Sequence, residues 1–263
     1  MTNCKFGFNN YLVTLGVGGT PGTVSDNGSL GGLTSSNLAG PTQYPPWDSS
    51  HPGACILQYD AGSAVPWDCV GLFGLNWTTA ATIRIEIGST AGGNDIYDSG
   101  TISAGIVPGY KQSVNILPST QTGRYLKVAI ADASNPSSYL VAGLAYLGPL
   151  WSPTRNFAYA QAAGWQDDST VQTAKGGQKY FIQSPPYRKQ TFKLENLTES
   201  ELWAYAAEMD RLCTIQQNVL FVPTPGGTYQ NQEAVFGTMK ASDQQIRTTP
   251  GRYSKSYEID ERL

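Results

Sequence analysis

Apolar and polar positions alternate strictly at Ile83-Arg84-Ile85-Glu86-Ile87, a spacing that puts three isoleucines on one face of a strand and two charges on the other. The two-residue period returns at Val114-Asn115-Ile116, over Tyr125-Leu126-Lys127-Val128-Ala129-Ile130, and from Tyr139 to Leu147. Turn-forming clusters separate these runs: Gly92-Gly93-Asn94-Asp95, Pro108-Gly109, Thr122-Gly123 and Ser134-Asn135-Pro136. Short strands at this spacing, with no helical pattern between them, predict an antiparallel sandwich over residues 54–150.

Further along, the period changes to that of a helix. Leu202, Ala206, Met209 and Cys213 form one apolar stripe, predicting a helix from about Glu199 to Cys213. Thr198 stands at its N-cap and Glu201 three residues on, a capping box, with Leu197 and Leu202 as the flanking hydrophobic staple. Phe192 and Leu194 precede it on a strand that faces a core, with Lys193 and Glu195 turned to water. Gly176-Gly177 reads as a hairpin turn before Gln178–Ile182. After the helix, Val219–Val222 is stopped by Pro223, Pro225-Gly226-Gly227 makes a loop, Ala234–Met239 returns, and Pro250-Gly251 turns into the alternating Tyr253–Ile259. The sum is a small α+β domain with one main helix over 151–263, joined near Pro149 and Trp151-Ser152-Pro153. The fold class expected is therefore mainly β. Residues 14–53 are rich in Gly, Ser, Thr and Pro, so residues 1–53 are expected to be a loop-rich arm, pinned by Leu38, Tyr44 and Trp47.

Composition narrows the functional classes. Hydrophobic residues make up 40% of the 263, enough for real cores, whereas only 14% are charged. A surface of Ser, Thr, Asn and Gln suits faces that become covered in an assembly. The formal net charge of −3 gives no electrostatic footprint for nucleic acid; the densest basic spot, Arg188-Lys189 with Lys179 nearby, reads as solvated edge residues. Cysteines 4, 55, 69 and 213 form no CxxC pair and fit reduced thiols in a bacterial cytoplasm. Met1–Asn10 lacks the apolar run of a signal peptide, and no stretch has the length of a membrane span.

Candidate chemistry is sparse. His51, the one histidine, sits in the turn-like Asp48-Ser49-Ser50-His51-Pro52 with no partner pattern for a triad or a zinc site. Leu15–Pro21 imitates a dinucleotide loop, but Pro21 takes the place of the third glycine and no helix pattern follows. The acidic pairs Asp167-Asp168 and Asn94-Asp95 lack the alternating oxygen ligands of a calcium loop, so turn capping competes with metal binding. Glu86 and Asp60 are acids that a glycosidase could use, though nothing brings them together in sequence. Trp47 and Trp67, each beside proline and followed by aspartate, are the candidate interface or sugar-stacking residues, with core packing as the competing reading; Trp77, just before a strand, is read as core. No cofactor, no metal and no catalytic residue is expected.

Two family resemblances sharpen these expectations. VGLFGLNWTTAATIRIEIGS, IYDSG, GRYLKVAIAD and LVAGLAYLG, within Cys69–Gly148, resemble the galactose-binding-like (discoidin-type) jelly rolls, whose loops at one end often bind sugars or partner proteins. The strand from Tyr187-Arg188 to Leu194, the LTESEL helix start, the LFVP strand and the VFG strand with its closing strand ending in Glu resemble the C-terminal half of tail and tail-tip proteins of tailed bacteriophages. That resemblance implies a structural part of the virion at the distal tail or baseplate, assembled in the host cytoplasm. Its partners would be further copies in a ring and other tail proteins of tube, hub or fibre type. The alternative is a carbohydrate-binding module for host-surface glycans.

Overall fold

The computed structural model describes residues 2–13, 22–30, 32–40, 42–50, 53–159, 161–213, 217–240 and 244–262; His51 and the Gly-rich run 15–21 lie outside them. The chain divides into two compact units: Met1–Ser152 with Leu220–Ala234, and Pro153–Val219 with Val235–Leu263. Leu220–Ala234 thus group with the residues before 153 rather than with the 151–263 stretch read as one domain from sequence.

In the first unit the strands are β1 (Lys5–Gly7), β2 (Thr23–Asp26), β3 (Trp47–Ser49), β4 (Cys55–Phe73), β5 (Thr82–Gly88), β6 (Tyr97–Asp98), β7 (Ile102–Ser103), β8 (Gln112–Ala131), β9 (Leu140–Ala142) and β10 (Leu144–Gly148). Seven of them pair antiparallel in one sheet, in the order β10-β4-β8-β5-β6, with β2 on β4 and β7 on β5. The 19-residue β4 and 20-residue β8 run alongside each other over most of their length. Their register shifts between Asp60 and Val65 and again between Trp67 and Cys69. Such irregularities bend a long strand, and the side of β4 that faces the core changes with them. Before the shifts Leu57, Tyr59 and Ala61 point inward; after them Val70 and Leu72 do. Ile83, Ile85 and Ile87 are all at or below 1% exposure, as the alternation requires.

The stretch expected to be a loop-rich arm contributes structure of its own. β2 pairs with β4 from Thr23↔Asp60 to Asp26↔Leu57, β3 pairs with β9, and a 3-10 turn at Ser35–Ala39 buries Leu38. Asp26 organises this region by accepting from Gly28 N, Ser29 Oγ and Ser35 N. Short strands rather than a free arm form here because the exposed edge of β4 leaves unpaired backbone groups that an adjacent segment satisfies. From much later in the chain, Leu220–Val222, part of β15 (Asn218–Val222), pairs with β1, and the short α3 (Gln230–Glu233) follows.

The second unit holds β11 (Ala162–Gln166), β12 (Thr170–Thr173), β13 (Lys179–Ile182), β14 (Tyr187–Thr198), β16 (Val235–Met239), β17 (Ile246–Thr249) and β18 (Arg252–Glu261). β18 is flanked by β14 and β16 and also carries β17; β11 adds to the far edge of β14. Phe192 and Leu194 are buried, and Phe192 stacks on Tyr257 of the closing strand with ring centroids 5.6 Å apart. The helical run consists of α1 (Glu199–Glu201), a π-wound Leu202–Ala206, and α2 (Ala207–Leu212), ending one residue short of the expectation, with Cys213 as its C-cap. Leu202, Ala206, Met209 and Cys213 are fully buried, so the apolar stripe survives the wider turn.

The capping box forms as read. Thr198 Oγ1 accepts from Glu201 N at 3.1 Å, and Glu201 Oε2 accepts from Thr198 N at 2.9 Å. Glu201 Oε1 also accepts from Thr154 N at 2.7 Å. Burial pushes the Glu201 carboxyl upward, but donation from Thr154 and Thr198 outweighs it and holds the group down to about 2. A carboxyl lowered from its ordinary 4.5 contributes stability above 4.5, and that contribution is lost as pH falls towards 2. Glu201→Gln is therefore expected to cost about 1 kcal/mol at neutral pH, as a lost cap does. The cost should shrink as pH falls towards 2, measured by urea unfolding followed in the far-ultraviolet.

Candidate functional site

Trp47 and Trp67 are both at 0% exposure, which removes them as sugar-stacking or interface residues. Trp67 Nε1 donates to Gly123 O at 2.9 Å, and its indole receives Tyr11 and Tyr59 edge-on at 5.1 and 5.7 Å. Trp47 lies in β3, opposite Ala142, within the same core. The neighbouring prolines suggested exposed loops, but both tryptophans lie on paired strands whose inner face is covered. Trp77, at 6%, is core as expected. The cap residues Thr198 and Glu201 hold the helix start.

The acids named from sequence are engaged structurally. Arg124 clasps Asp60 at 2.7 and 2.9 Å, and this fork holds the Asp60 carboxyl down to about 2. Glu86, on the outward side of β5, is nevertheless only 4% exposed; Lys127 meets it at 2.7 Å and Arg84 at 3.3 Å. Arg84 in turn forks Asp98, holding that carboxyl well below its usual range. Asp95 accepts from Ser89 N and Oγ, and Asp167 from Ser169 N, which is turn capping. Among the described residues, no three His, Cys, Asp or Glu side chains gather as a metal site would need. The described thiols of Cys4, Cys55, Cys69 and Cys213 are all buried and unbridged; burial pushes Cys55 and Cys213 up to about 12, far from the thiolate a nucleophile needs.

Two features outside the sequence reading stand out instead. The first is the arm formed by β11, β12 and β13, every residue of which is exposed. Among the described residues β12 and β13 pair only with each other, closed by Gly177 at φ 80°. Val171 faces Phe181 across this ladder. Side chains alternate faces along a strand, so Tyr180 and Ile182 stand on the side opposite Phe181. Trp165, on β11 opposite Arg188, is 56% exposed and Phe181 67%. An isolated two-stranded ribbon is marginal in water, and one that is apolar on both sides is suited to being covered.

The second is a groove of about 410 Å³ in the first unit, floored by Ile85, Val114 and Leu117 and edged by Tyr97, Asn115, Gln230 and Lys5. Its wall is fastened by side chains. Gln230 Nε2 donates to Val114 O at 2.8 Å and its Oε1 accepts from Gly226 N; Asn231 accepts from Val114 N at 2.8 Å and donates to Gly105 O. The groove was not legible in sequence, because its residues come from five distant segments.

Neither a family profile nor a curated protein sequence matches this chain. Among solved structures, it is similar to the lectin domain of lectinolysin complexed with Lewis b antigen, at 10% identity and TM-score 0.37, covering 48% of this chain and 91% of that one. It is also similar to a Streptococcus pneumoniae fucose binding module, SpX-3, at 8% identity and TM-score 0.39, covering 53% and 97%. A third likeness is to chitosan-binding module 1 from the chitosanase/glucanase of Paenibacillus sp. IK-5, at 12% identity and TM-score 0.37, covering 52% and 97%. No functional conclusion follows from likenesses at these identities and scores. The fold itself is mainly β, with an antiparallel sandwich in the first unit and an α+β second unit.

Proposed function

We propose that this chain is a non-catalytic binding protein that works by docking against other protein subunits, copies of itself foremost. The observation that carries this reading is the arm of residues 162–182, which presents Trp165 and Val171, Tyr180, Phe181 and Ile182 to solvent from both faces of its ribbon. Exposed apolar surface of this kind marks interaction sites, and a symmetric ring gives each copy's arm a receiving surface on the next. The sequence resemblance supplies the setting for the proposal: a structural part of a tailed-phage virion at the distal tail or tail tip. Light scattering of the purified chain at micromolar concentration tests it. The native chain should be oligomeric, and Phe181→Ser with Ile182→Ser should shift it to monomer while its circular dichroism stays unchanged. A native chain that stays monomeric and binds no tail protein would remove the proposal.

A second reading is favoured by the groove: the sandwich unit binds carbohydrate. A sugar ring offers both C–H faces and hydroxyls, and the groove offers apolar floor beside amide, hydroxyl and ammonium groups. This reading no longer involves Trp47 or Trp67.

A further inference from the structure

We propose that the groove in the first unit is a site for a carboxylate-bearing sugar, recognised by Lys5, Tyr97 and Asn115; this rests on the carbohydrate reading above and narrows its ligand class. The lining contains a lysine and no aspartate or glutamate. Among the described residues Lys5 makes no ion pair, whereas Arg84 pairs with Asp98, Arg124 with Asp60 and Lys127 with Glu86. The lining therefore carries one cation and no acid of its own, and the nearby Asp98 beside Tyr97 is already forked by Arg84.

Two further polar groups converge there with capacity to spare. The Tyr97 hydroxyl has no hydrogen-bond partner among the described residues, and Asn115 spends its amide N–H on Ser113 Oγ at 2.9 Å, leaving its carbonyl oxygen for a sugar hydroxyl. Gln230 uses both ends of its amide to hold the wall. The volume falls in the range of small-molecule sites, and the floor of Ile85, Val114 and Leu117 suits the apolar face of a pyranose ring. The wall is tied down before any ligand arrives, so little ordering cost opposes binding.

Titration of the full chain with trigalacturonate and with sialyllactose, against maltotriose and lactose as neutral counterparts, tests this by calorimetry or by protein-observed chemical shifts. One or both acidic sugars should bind at least tenfold more tightly than their neutral counterparts, and the preference should fall as salt rises. Lys5→Gln should erase the preference for acid while leaving residual sugar binding, and Asn115→Ala should weaken acidic and neutral sugars alike. Circular dichroism keeps a misfolded variant from being misread. Equal binding of neutral and acidic sugars, or unchanged selectivity in Lys5→Gln, overturns the acid-sugar assignment but keeps the carbohydrate reading. No binding of any of the four sugars overturns both.

Discussion

Trp67→Ala is expected to destabilise the sandwich unit by about 3–5 kcal/mol, the range for removing a large aromatic from a packed core. The side chain is fully buried, and three separate losses coincide at it. Its ring volume is vacated between Tyr11 and Tyr59, which approach it at 88° and 86°. The favourable edge-to-face contacts vanish. Gly123 O loses the indole N–H and is left buried. Trp67→Phe separates these contributions, keeping most of the volume while still leaving that carbonyl without its donor, at about 1–3 kcal/mol. The tyrosines also knit this core to the N-terminal segment: Tyr59 donates its hydroxyl to Tyr11 O, and Tyr11 donates to Pro66 O at 3.1 Å. Urea unfolding monitored by tyrosine and tryptophan emission reads the effect. A change below 1 kcal/mol would mean that the indole is not the centre of this core.

The second large effect lies in the α+β unit. Arg188, 5% exposed, donates through Nε to Glu261 Oε2 at 2.9 Å and pairs through its second guanidinium nitrogen with Oε1. Its backbone N–H donates to the same carboxylate at 2.9 Å. This fork ties the second residue of β14 to the last residue of β18, where the ladder between them begins. Removing one partner strands a charge in a poorly hydrated place, so Arg188→Met is expected to cost about 3–5 kcal/mol. Replacing both, Arg188→Met with Glu261→Met, should recover most of that loss, because an apolar pair carries no desolvation penalty. A double variant no more stable than the single one would show that the backbone bond to Glu261, rather than the charge pair, anchors the strand end.

What could be read along the chain was whatever depends on near neighbours. The Ile83–Ile85–Ile87 face and the Thr198–Glu201 box follow from the side-chain directions of a strand and the orphan N–H groups of a helix start, which are settled within a few residues. The same reasoning did not reach Trp47 and Trp67. Whether a tryptophan on a strand is stacking surface or core depends on what covers that strand, and for Trp67 the cover includes Tyr11, 56 positions earlier in the chain. Nor could it reveal the π-wound turn at Leu202–Ala206, since the buried stripe reads the same with either winding.

By itself, then, the sequence determined the mainly β fold class, the main strands of the sandwich and one capped helix. Tertiary structure decided which surfaces are available. It sank both candidate tryptophans into the core and left Val171 and Phe181 in solvent on a ribbon whose alternation looks like that of any half-buried strand. It also brought the 225–230 segment to β5 and β8 to enclose a groove. Exposure and convergence are properties of contacts between segments far apart in the chain, and the local patterns of apolar and polar residues carry no record of them.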